Sequence, residues 1–238
     1  MNACLQAWRK SQRPRSNLKV GRFANLMNVF SHSEPGGHET NEDAIRVTRY
    51  ADDPITLICA LSDGQGGQAG GALAAQTAVD SCLEKTQTYS LNELLNPATW
   101  QAIGEAVDRN VSLKPDAGYT TFIGLALVES FVIGISCGDS AVALLLHDKF
   151  VQLTERQHKN PPIGSGAARL APFSARLSEP WKLLLMSDGV WKYTGWEAIV
   201  ERYRREGGQA LISSLRDVAA FNNGGRLFDD FSLILIES

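Results

Sequence analysis

The sequence predicts an α+β protein in which two antiparallel β-sheets pack on each other and α-helices flank them. Short apolar runs of the kind that form buried strands follow one another between residues 119 and 146, with only brief turns between them. Stretches with helical periodicity lie before and after this region. Because strands and helices occur in runs and do not alternate strictly, segregated layers are favoured over a parallel β-α-β arrangement.

The first half of the chain opens with a predicted loop at residues 31–40, which contain Ser, Pro, Gly and His. A short, half-apolar strand is expected at 44–50. The run at 55–61 is almost continuously apolar, as in a strand that is buried on both faces. Residues 70–85 place apolar side chains on one helical face. A second helix is expected at 97–113, because it begins with a proline, which is favoured at the start of a helix.

Three strands are then expected in succession, at 119–128, 131–137 and 141–146, with polar turns between them. An additional edge strand is expected at 150–153. Residues 154–179 are rich in Pro, Gly and Ala, and we expect them to be irregular.

The last part of the chain repeats the pattern of an apolar strand beside aspartates. A strand is expected at 181–186, directly before Ser-Asp-Gly, and another at 231–236, directly after Asp-Asp. Two helices are expected between them, at 196–205 and 209–221.

Composition excludes several classes of protein. The chain has 238 residues, of which 44% are hydrophobic and 21% charged, as in an ordinary globular protein with a substantial core. The net charge of −3 argues against extensive nucleic-acid binding. The sequence has no apolar run of the roughly 18 residues that a membrane span needs, and no secretory signal pattern. The four cysteines form no CxxC pair, which favours free thiols and a cytoplasmic location.

The N-terminal segment differs from the rest in charge. All six charged residues before Glu34 are basic, so the remainder carries about −9. We predict that residues 1–22 form a basic, flexible arm and that residues 23–238 form a single domain. The alternative is a terminus that merely tolerates charge.

Five aspartates share one position relative to the predicted strands. Each of them lies where a strand begins or ends, and together they are Asp43, Asp63, Asp139, Asp188 and Asp229. Any one of them alone is more often a turn residue, since Asp-Gly is a common turn dipeptide. Clustered carboxylates repel one another unless a cation is bound. An oxygen-only ligand set selects a hard cation such as Mg²⁺ or Mn²⁺.

Six motifs, in this order, resemble those of the protein phosphatase 2C-like (PPM) family of metal-dependent protein phosphatases, in particular its short bacterial members. They span residues 41 to 236, and each is weak alone, but the ordered set is specific. The motifs are Asn41-Glu42-Asp43-Ala44, Asp63-Gly64-Gln65-Gly66-Gly67, Tyr119-Thr120-Thr121, Gly138-Asp139-Ser140, Ser187-Asp188-Gly189 and Asp229-Asp230-Phe231-Ser232.

The resemblance implies a four-layer αββα fold and two Mn²⁺ or Mg²⁺ ions at one end of the sheets. By matching position, Asp63 would bridge both ions. The carboxylate of Asp43 and the carbonyl of Gly64 would bind one ion, and Asp188 and Asp229 would bind the other.

The resemblance also implies the reaction. Glu42 would hold metal-bound water, and Asp139 matches the ligand of a weaker third ion. The expected activity is hydrolysis of phosphoserine and phosphothreonine by a hydroxide that bridges the metals, activated through Asp63 and Asp188. The expected partners are a phosphorylated protein and a cognate Ser/Thr kinase, with no nucleic acid and no membrane, and we expect a monomer.

Four features depart from the family pattern. His38 replaces an arginine that grips the substrate phosphate, so His38 is either a pH-dependent phosphate contact or an ordinary loop residue. Gln65 replaces a histidine that is proposed as general acid in many eukaryotic members. Lys192 replaces a further aspartate, and would either disfavour the third ion or contact phosphate. The segment at 154–180 is shorter than the mobile flap of many bacterial members.

Two other functions stay open at this point. His38 and Lys192 are also compatible with a low-activity or inactive module that retains the fold for binding or regulation. A phosphatase for a small phosphoester is a further alternative.

Overall fold

The computed structural model describes residues 27–37, 39–65, 70–147 and 149–238. The predicted basic arm at 1–22 lies outside the described residues and stays a prediction. Within the described ranges the chain forms ten strands and six helices. The strands are β1 (Asn28–Glu34), β2 (Asp43–Tyr50), β3 (Asp53–Asp63), β4 (Phe122–Val128), β5 (Phe131–Cys137), β6 (Ala141–Leu146), β7 (Lys149–Gln152), β8 (Ala171–Arg176), β9 (Trp181–Met186) and β10 (Phe231–Glu237). The helices are α1 (Gly71–Thr86), α2 (Leu91–Leu94), α3 (Pro97–Ser112), α4 (Asp188–Thr194), α5 (Trp196–Arg205) and α6 (Gly208–Asn222).

The strands form two antiparallel five-stranded sheets. One has the order β1-β10-β9-β6-β7 and the other has the order β2-β3-β4-β5-β8. Their facing sides enclose one apolar core, α1 and α3 cover the outside of the second sheet, and α4, α5 and α6 cover the outside of the first. This arrangement confirms the predicted fold of two packed antiparallel sheets flanked by helices.

Burial on both faces explains why the central strands are continuously apolar. In β10, Ile234 and Ile236 face the other sheet, whereas Leu233 and Leu235 face the helices. All four are fully buried. Burying side chains of this size contributes roughly 1.5–3 kcal/mol each.

Some predicted boundaries were wrong at polar edge strands. The predicted loop at 31–40 overlaps β1, which runs to Glu34 and pairs with β10 alone. The predicted irregular segment at 154–179 contains β8, which includes Pro172 and pairs with β5 alone. Edge strands carry polar residues and tolerate proline because one side of the backbone is unpaired, so neither strand has the apolar signature of a central one.

The helices α2 and α4 were not predicted, because each is only one or two turns long. Helix α2 is held by a capping box, in which Ser90 and Glu93 satisfy each other's backbone N–H groups. No helix in the described part of the chain is both long enough and apolar enough to cross a membrane.

Candidate active site

The two sheets bring five aspartates to one rim of the molecule. Asp43 begins β2 and Asp63 ends β3, and the antiparallel register places these residues directly opposite each other. Asp139 lies in the turn between β5 and β6, Asp188 follows β9, and Asp229 lies just before β10. Asp63 is close enough to the other four to interact with the charge of each.

The ionisation of these carboxylates reflects their crowding. The pKa of Asp63 is raised well above its usual range, chiefly by burial and then by the negative charges of the other four aspartates. Burial also raises the pKa of Asp43 well above its usual range, and nearby carboxylates add to this, although two serine hydroxyls oppose it. Burial likewise raises the pKa of Asp188, partly offset by Lys192. Bound cations would therefore relieve the repulsion among the carboxylates of the rim.

Two adjacent threonines hold the backbone of Asp63 in place. The N–H of Asp63 donates to Thr121 Oγ1 at 3.0 Å. Its carbonyl oxygen accepts from Thr120 Oγ1 and from the backbone N–H of Thr121, both at 2.8 Å. Thr121 Oγ1 also shares a hydrogen bond of 2.7 Å with Ser140 Oγ, next to Asp139. These contacts give a physical role to the Tyr-Thr-Thr motif, which is to fix Asp63 relative to the β5–β6 turn.

Asp230 joins the segment before β2 to the start of β10. Its side chain is buried, and its two oxygens accept from the backbone N–H groups of Gly36 at 2.9 Å and of Glu42 at 2.5 Å. The neighbouring Asp229 instead accepts from the N–H of Asp230 and stays half-exposed. The two aspartates thus have different tasks, since Asp230 positions the backbone beside Glu42 while Asp229 faces the rim.

Lysines pair with two of the five aspartates. Lys192 Nζ lies 2.5 Å from Asp188 Oδ2, one turn away on α4. Lys159 Nζ lies 2.5 Å from Asp139 Oδ2 and comes from the segment after β7. Each pair places an ammonium group at the edge of the acidic cluster.

Comparison with known proteins supports a family assignment. A sequence model of the family described as Protein phosphatase 2C matches residues 32–222, which is most of the chain. The chain belongs to the protein phosphatase 2C family. This confirms the resemblance drawn from the six motifs, and it confirms the predicted enzyme class, a protein phosphatase.

Solved bacterial proteins, two of them described as serine/threonine phosphatases, share the fold of this protein phosphatase 2C member. The serine/threonine phosphatase Stp1 from Staphylococcus aureus matches with a TM-score of 0.75 at 18% identity, over 95% of this chain and 99% of that one. The Mycobacterium tuberculosis serine/threonine phosphatase PstP/Ppp matches with a TM-score of 0.72 at 19% identity, over 90% and 99%. PppA, a regulatory component of T6SS in Pseudomonas aeruginosa, matches with a TM-score of 0.69 at 17% identity, over 90% and 98%. No curated protein sequence matches the chain.

The donor atoms of this phosphatase-family site are of the type that hard cations prefer. Asp43 Oδ2 is buried and has no hydrogen-bond partner among the described residues, which is costly unless something outside the protein satisfies it. The nearby donors are all oxygens, as Mg²⁺ and Mn²⁺ prefer. Within the described ranges, however, no three acidic, histidine or cysteine side chains converge closely enough to hold a metal ion. Two of the carboxylates point instead to lysines.

The remaining predicted residues, and two site residues whose roles were not predicted, can now be located. His38, Gly66 and Gly67 lie outside the described residues. Gly64 is buried, and its N–H donates to the carbonyl of Glu42 at 3.1 Å. Lys159 was not predicted, because it lies in an irregular segment with no motif around it. The structural role of Asp230 was not predicted either. The only hint of it in the sequence was that Asp230 belongs to the Asp229-Asp230 motif.

Proposed function

We propose that this protein hydrolyses phosphoserine and phosphothreonine in proteins, in a reaction that depends on two Mn²⁺ or Mg²⁺ ions. The observation that carries the proposal is the pair formed by Asp43 and Asp63. These two half-buried carboxylates face each other across neighbouring strands, and each has a raised pKa. Such a pair is expensive to maintain unless it binds cations.

The residues that would hold the ions come from both sheets. They are Asp43, Asp63, the carbonyl of Gly64, Asp188 and Asp229, with Asp139 beside a weaker third position. When bound, such ions lower the pKa of a coordinated water and neutralise the charge on phosphate oxygens. The protein's own part is to fix these oxygens, as Thr120 and Thr121 do for Asp63.

The overall reaction consumes only water and the phosphoester. Water attacks phosphorus in line with the bond to the seryl or threonyl oxygen, that bond breaks, and the leaving oxygen takes up a proton. We assign to Glu42 the task of orienting the water, because Asp230 holds its backbone beside the rim. Gln65 is exposed and cannot supply a proton, so the proton comes from solvent.

A covalent phosphocysteine mechanism is disfavoured. The three cysteines of the described residues are buried and unpaired. Burial raises the pKa of Cys137 to about 11 and that of Cys82 to about 12, and it raises the pKa of Cys59 further still. Thiols with such pKa values are not nucleophilic near neutral pH. The same buried, free thiols support a cytoplasmic location, where a reducing environment keeps them free.

Two residues are candidates for gripping the substrate phosphate. Lys192 places its ammonium group beside Asp188 on the rim, and His38 occupies the family's arginine position in the sequence. Replacing His38 with arginine would fix the positive charge at all working pH and supply a bidentate donor. We therefore expect His38→Arg to lower KM for a phosphopeptide and Lys192→Met to raise it, with little change in kcat for His38→Arg. Unchanged KM in both variants would mean that phosphate is held elsewhere.

The direct test compares phosphothreonine and phosphotyrosine peptides side by side. We expect Mn²⁺-dependent phosphate release from the phosphothreonine peptide, and loss of release after exhaustive chelation with EDTA. The Asp63→Asn variant serves as the matched inactive control. Full activity after chelation, or equal activity of Asp63→Asn, would contradict the proposal.

One observation favours a second function, a regulatory or binding module with little turnover. Asp139 and Asp188 form ion pairs with lysines, so added cations must compete with the lysine ammonium groups for these carboxylates. If the assay shows no phosphate release under any metal condition while the protein still binds a phosphopeptide, this second function replaces the first. In either case the partner is a phosphorylated protein, and a cognate Ser/Thr kinase would supply it.

A further inference from the structure

The turn that carries Asp139 is fixed by hydrogen bonds from two other parts of the chain. The indole N–H of Trp191, on α4, donates to the carbonyl of Asp139 at 3.0 Å. The N–H of Gly138 donates to the carbonyl of His158 at 2.8 Å. The Asp139 side chain is mostly buried and lies at the edge of the acidic rim. Asp139 is therefore held in place before any ligand arrives.

The segment that carries Lys159 lies along the same turn and is held there. Gln157 Nε2 donates to the carbonyl of Ser140 at 2.6 Å. The N–H of Val142 donates to Thr154 Oγ1, a fully enclosed hydroxyl, at 3.1 Å. With the bond at His158, three contacts hold residues 154–158 against the β5–β6 turn and the start of β6. Lys159 follows directly, so these contacts place its backbone close to Asp139.

The lysine pairing divides the acidic rim into two parts. Asp139 and Asp188 each have an ammonium group at 2.5 Å. No ion pair to Asp43, Asp63 or Asp229 occurs within the described ranges of the chain. A metal ion is therefore needed most at these three carboxylates, and less at Asp139 and Asp188, whose charges the two lysines already offset.

We propose that Lys159 is a resident cation of the site, and that its ammonium group takes the place beside Asp139 that a metal ion would otherwise occupy. This inference rests on the proposed metal-dependent function. Stability is a weak explanation of the pair, because the Lys159 side chain is 62% exposed, although that of Asp139 is 19% exposed, and ion pairs at the surface contribute only about 0–1 kcal/mol. The same ammonium would repel a dication strongly at a separation of a few ångströms.

The test measures how many Mn²⁺ ions the full chain binds, by equilibrium dialysis and calorimetry after removal of bound metal. Lys159→Gln removes the charge, and Lys159→Arg keeps it. Lys149→Gln is the matched control, because it removes a lysine from β7, at the end of β6 opposite to Asp139. We expect Lys159→Gln to bind one more Mn²⁺ per chain than the wild type, while Lys159→Arg and Lys149→Gln bind the wild-type number.

The double variant Lys159→Gln/Asp139→Asn locates the additional ion. Loss of that ion in the double variant supports the proposal. An equal number of ions in wild type and Lys159→Gln overturns it, as does an additional ion that persists without the Asp139 carboxylate. Lys159→Ala, checked by its thermal transition, repeats the measurement should Lys159→Gln fold poorly.

Activity is measured separately, so the two proposals fail in different ways. A wild type that releases phosphate but binds as many ions as Lys159→Gln contradicts the role of Lys159 alone. A wild type without phosphatase activity, whose Lys159→Gln variant gains an ion at Asp139, contradicts the proposed function alone.

Discussion

Asp43 and Asp63, the proposed metal ligands, lower the free energy of unfolding of the protein when no metal ion is bound. Burial and neighbouring negative charges raise the pKa of both carboxylates. Near neutral pH, the folded protein must either carry their charges in an unfavourable environment or take up protons that the unfolded chain does not bind. One oxygen of Asp43 also lacks a hydrogen-bond partner among the described residues. Ligand binding would recover free energy at the same atoms.

The first prediction separates stability from activity at Asp63. Asp63→Asn removes a repelled charge, so we expect the metal-free protein to become more stable by about 1 kcal/mol or more, which is about 2–4 °C in Tm for a chain of this size. The same variant should lose Mn²⁺ binding and phosphate release. Thermal unfolding in EDTA, together with a Mn²⁺ titration, measures both effects. A variant that is less stable in EDTA would mean that Asp63 makes a favourable contact in the metal-free state.

The second prediction concerns the pH dependence of the metal-free protein. Asp43, Asp63 and Asp188 have raised pKa values in the folded state. The folded protein therefore binds more protons than the unfolded chain, and the free energy of unfolding decreases as pH rises through the folded-state pKa values. The stabilisation is fully present only below the unfolded aspartate pKa of about 3.9. Glu34 acts in the opposite direction, because Arg216 and His32 lower its pKa despite the effect of burial.

The measurement is Tm in EDTA at two pH values. We expect a higher Tm at about pH 5.5 than at about pH 7.5, and the opposite order with saturating Mn²⁺, because the metal favours the charged carboxylates. The double variant Asp43→Asn/Asp63→Asn should show a smaller pH dependence. A wild-type Tm in EDTA that rises with pH over this range would contradict the prediction.

At the scale of elements, a buried carboxylate organises the segment between β7 and β8. Asp108, on α3, is 6% exposed. Its side chain accepts from the backbone N–H groups of Gly164 at 2.7 Å, Gly166 at 3.2 Å and Ala168 at 3.0 Å. The same segment places Ile163 in a β-bridge with Thr120, which holds Asp63. A helix outside the sheets is thus linked to the acidic rim through one loop.

The third prediction tests this link. Asp108→Asn keeps the shape but replaces one acceptor oxygen with a donor, so at least one of the three N–H groups loses its partner. We expect a loss of about 1–3 kcal/mol and a Tm lower by several degrees. Trypsin should also cleave faster after the exposed Arg169. Asp217→Asn, an exposed change on α6, should have little effect. Equal trypsin cleavage in the Asp108 variant and the wild type would show that the loop does not depend on this carboxylate.

The sequence predicted the elements whose side chains are buried, because burial leaves a periodic apolar signal. The run at 55–61 was interpreted as a two-sided buried strand and lies within β3. Strand β1 was missed, because its Ser-His-Ser-Glu segment lies at a polar edge. Its strand conformation comes from seven cross-strand pairs with β10, about two hundred residues away, and local sequence carries no trace of such pairing.

The candidate site shows the same limit. The motifs indicated the aspartates, because they lie at strand ends in a specific order. Lys159 and Asp108 act through contacts between distant segments, and nothing in their local sequence distinguishes them from surface residues. Only the folded arrangement shows which aspartates already have a cationic partner.

At the scale of the whole molecule, the acidic rim depends on the strand that covers β10 at the edge of the first sheet. Strand β1 covers one edge of its sheet by pairing with β10 along its whole length, from Asn28 to Glu34. Ser33 bonds Ser232 at 2.7 Å, and Glu34 receives two hydrogen bonds from Arg216 on α6. Strand β1 therefore joins β10, which follows directly on Asp229 and Asp230, to a helix of the outer layer.

The last prediction uses this edge to define where the domain begins. A truncation that starts at Phe23 removes the basic segment but keeps β1, and every motif of the candidate site lies beyond residue 40. We expect it to retain the wild-type Tm within about 2 °C and the wild-type rate of Mn²⁺-dependent p-nitrophenyl phosphate hydrolysis. A truncation that starts at Pro35 removes β1 as well, and leaves the backbone groups of β10 as an open edge that favours aggregation. It should lose cooperative unfolding and activity together. Loss of folding in the first truncation would place part of residues 1–22 in the folded domain, whereas a stable, active second truncation would show that β1 is not needed to support the rim.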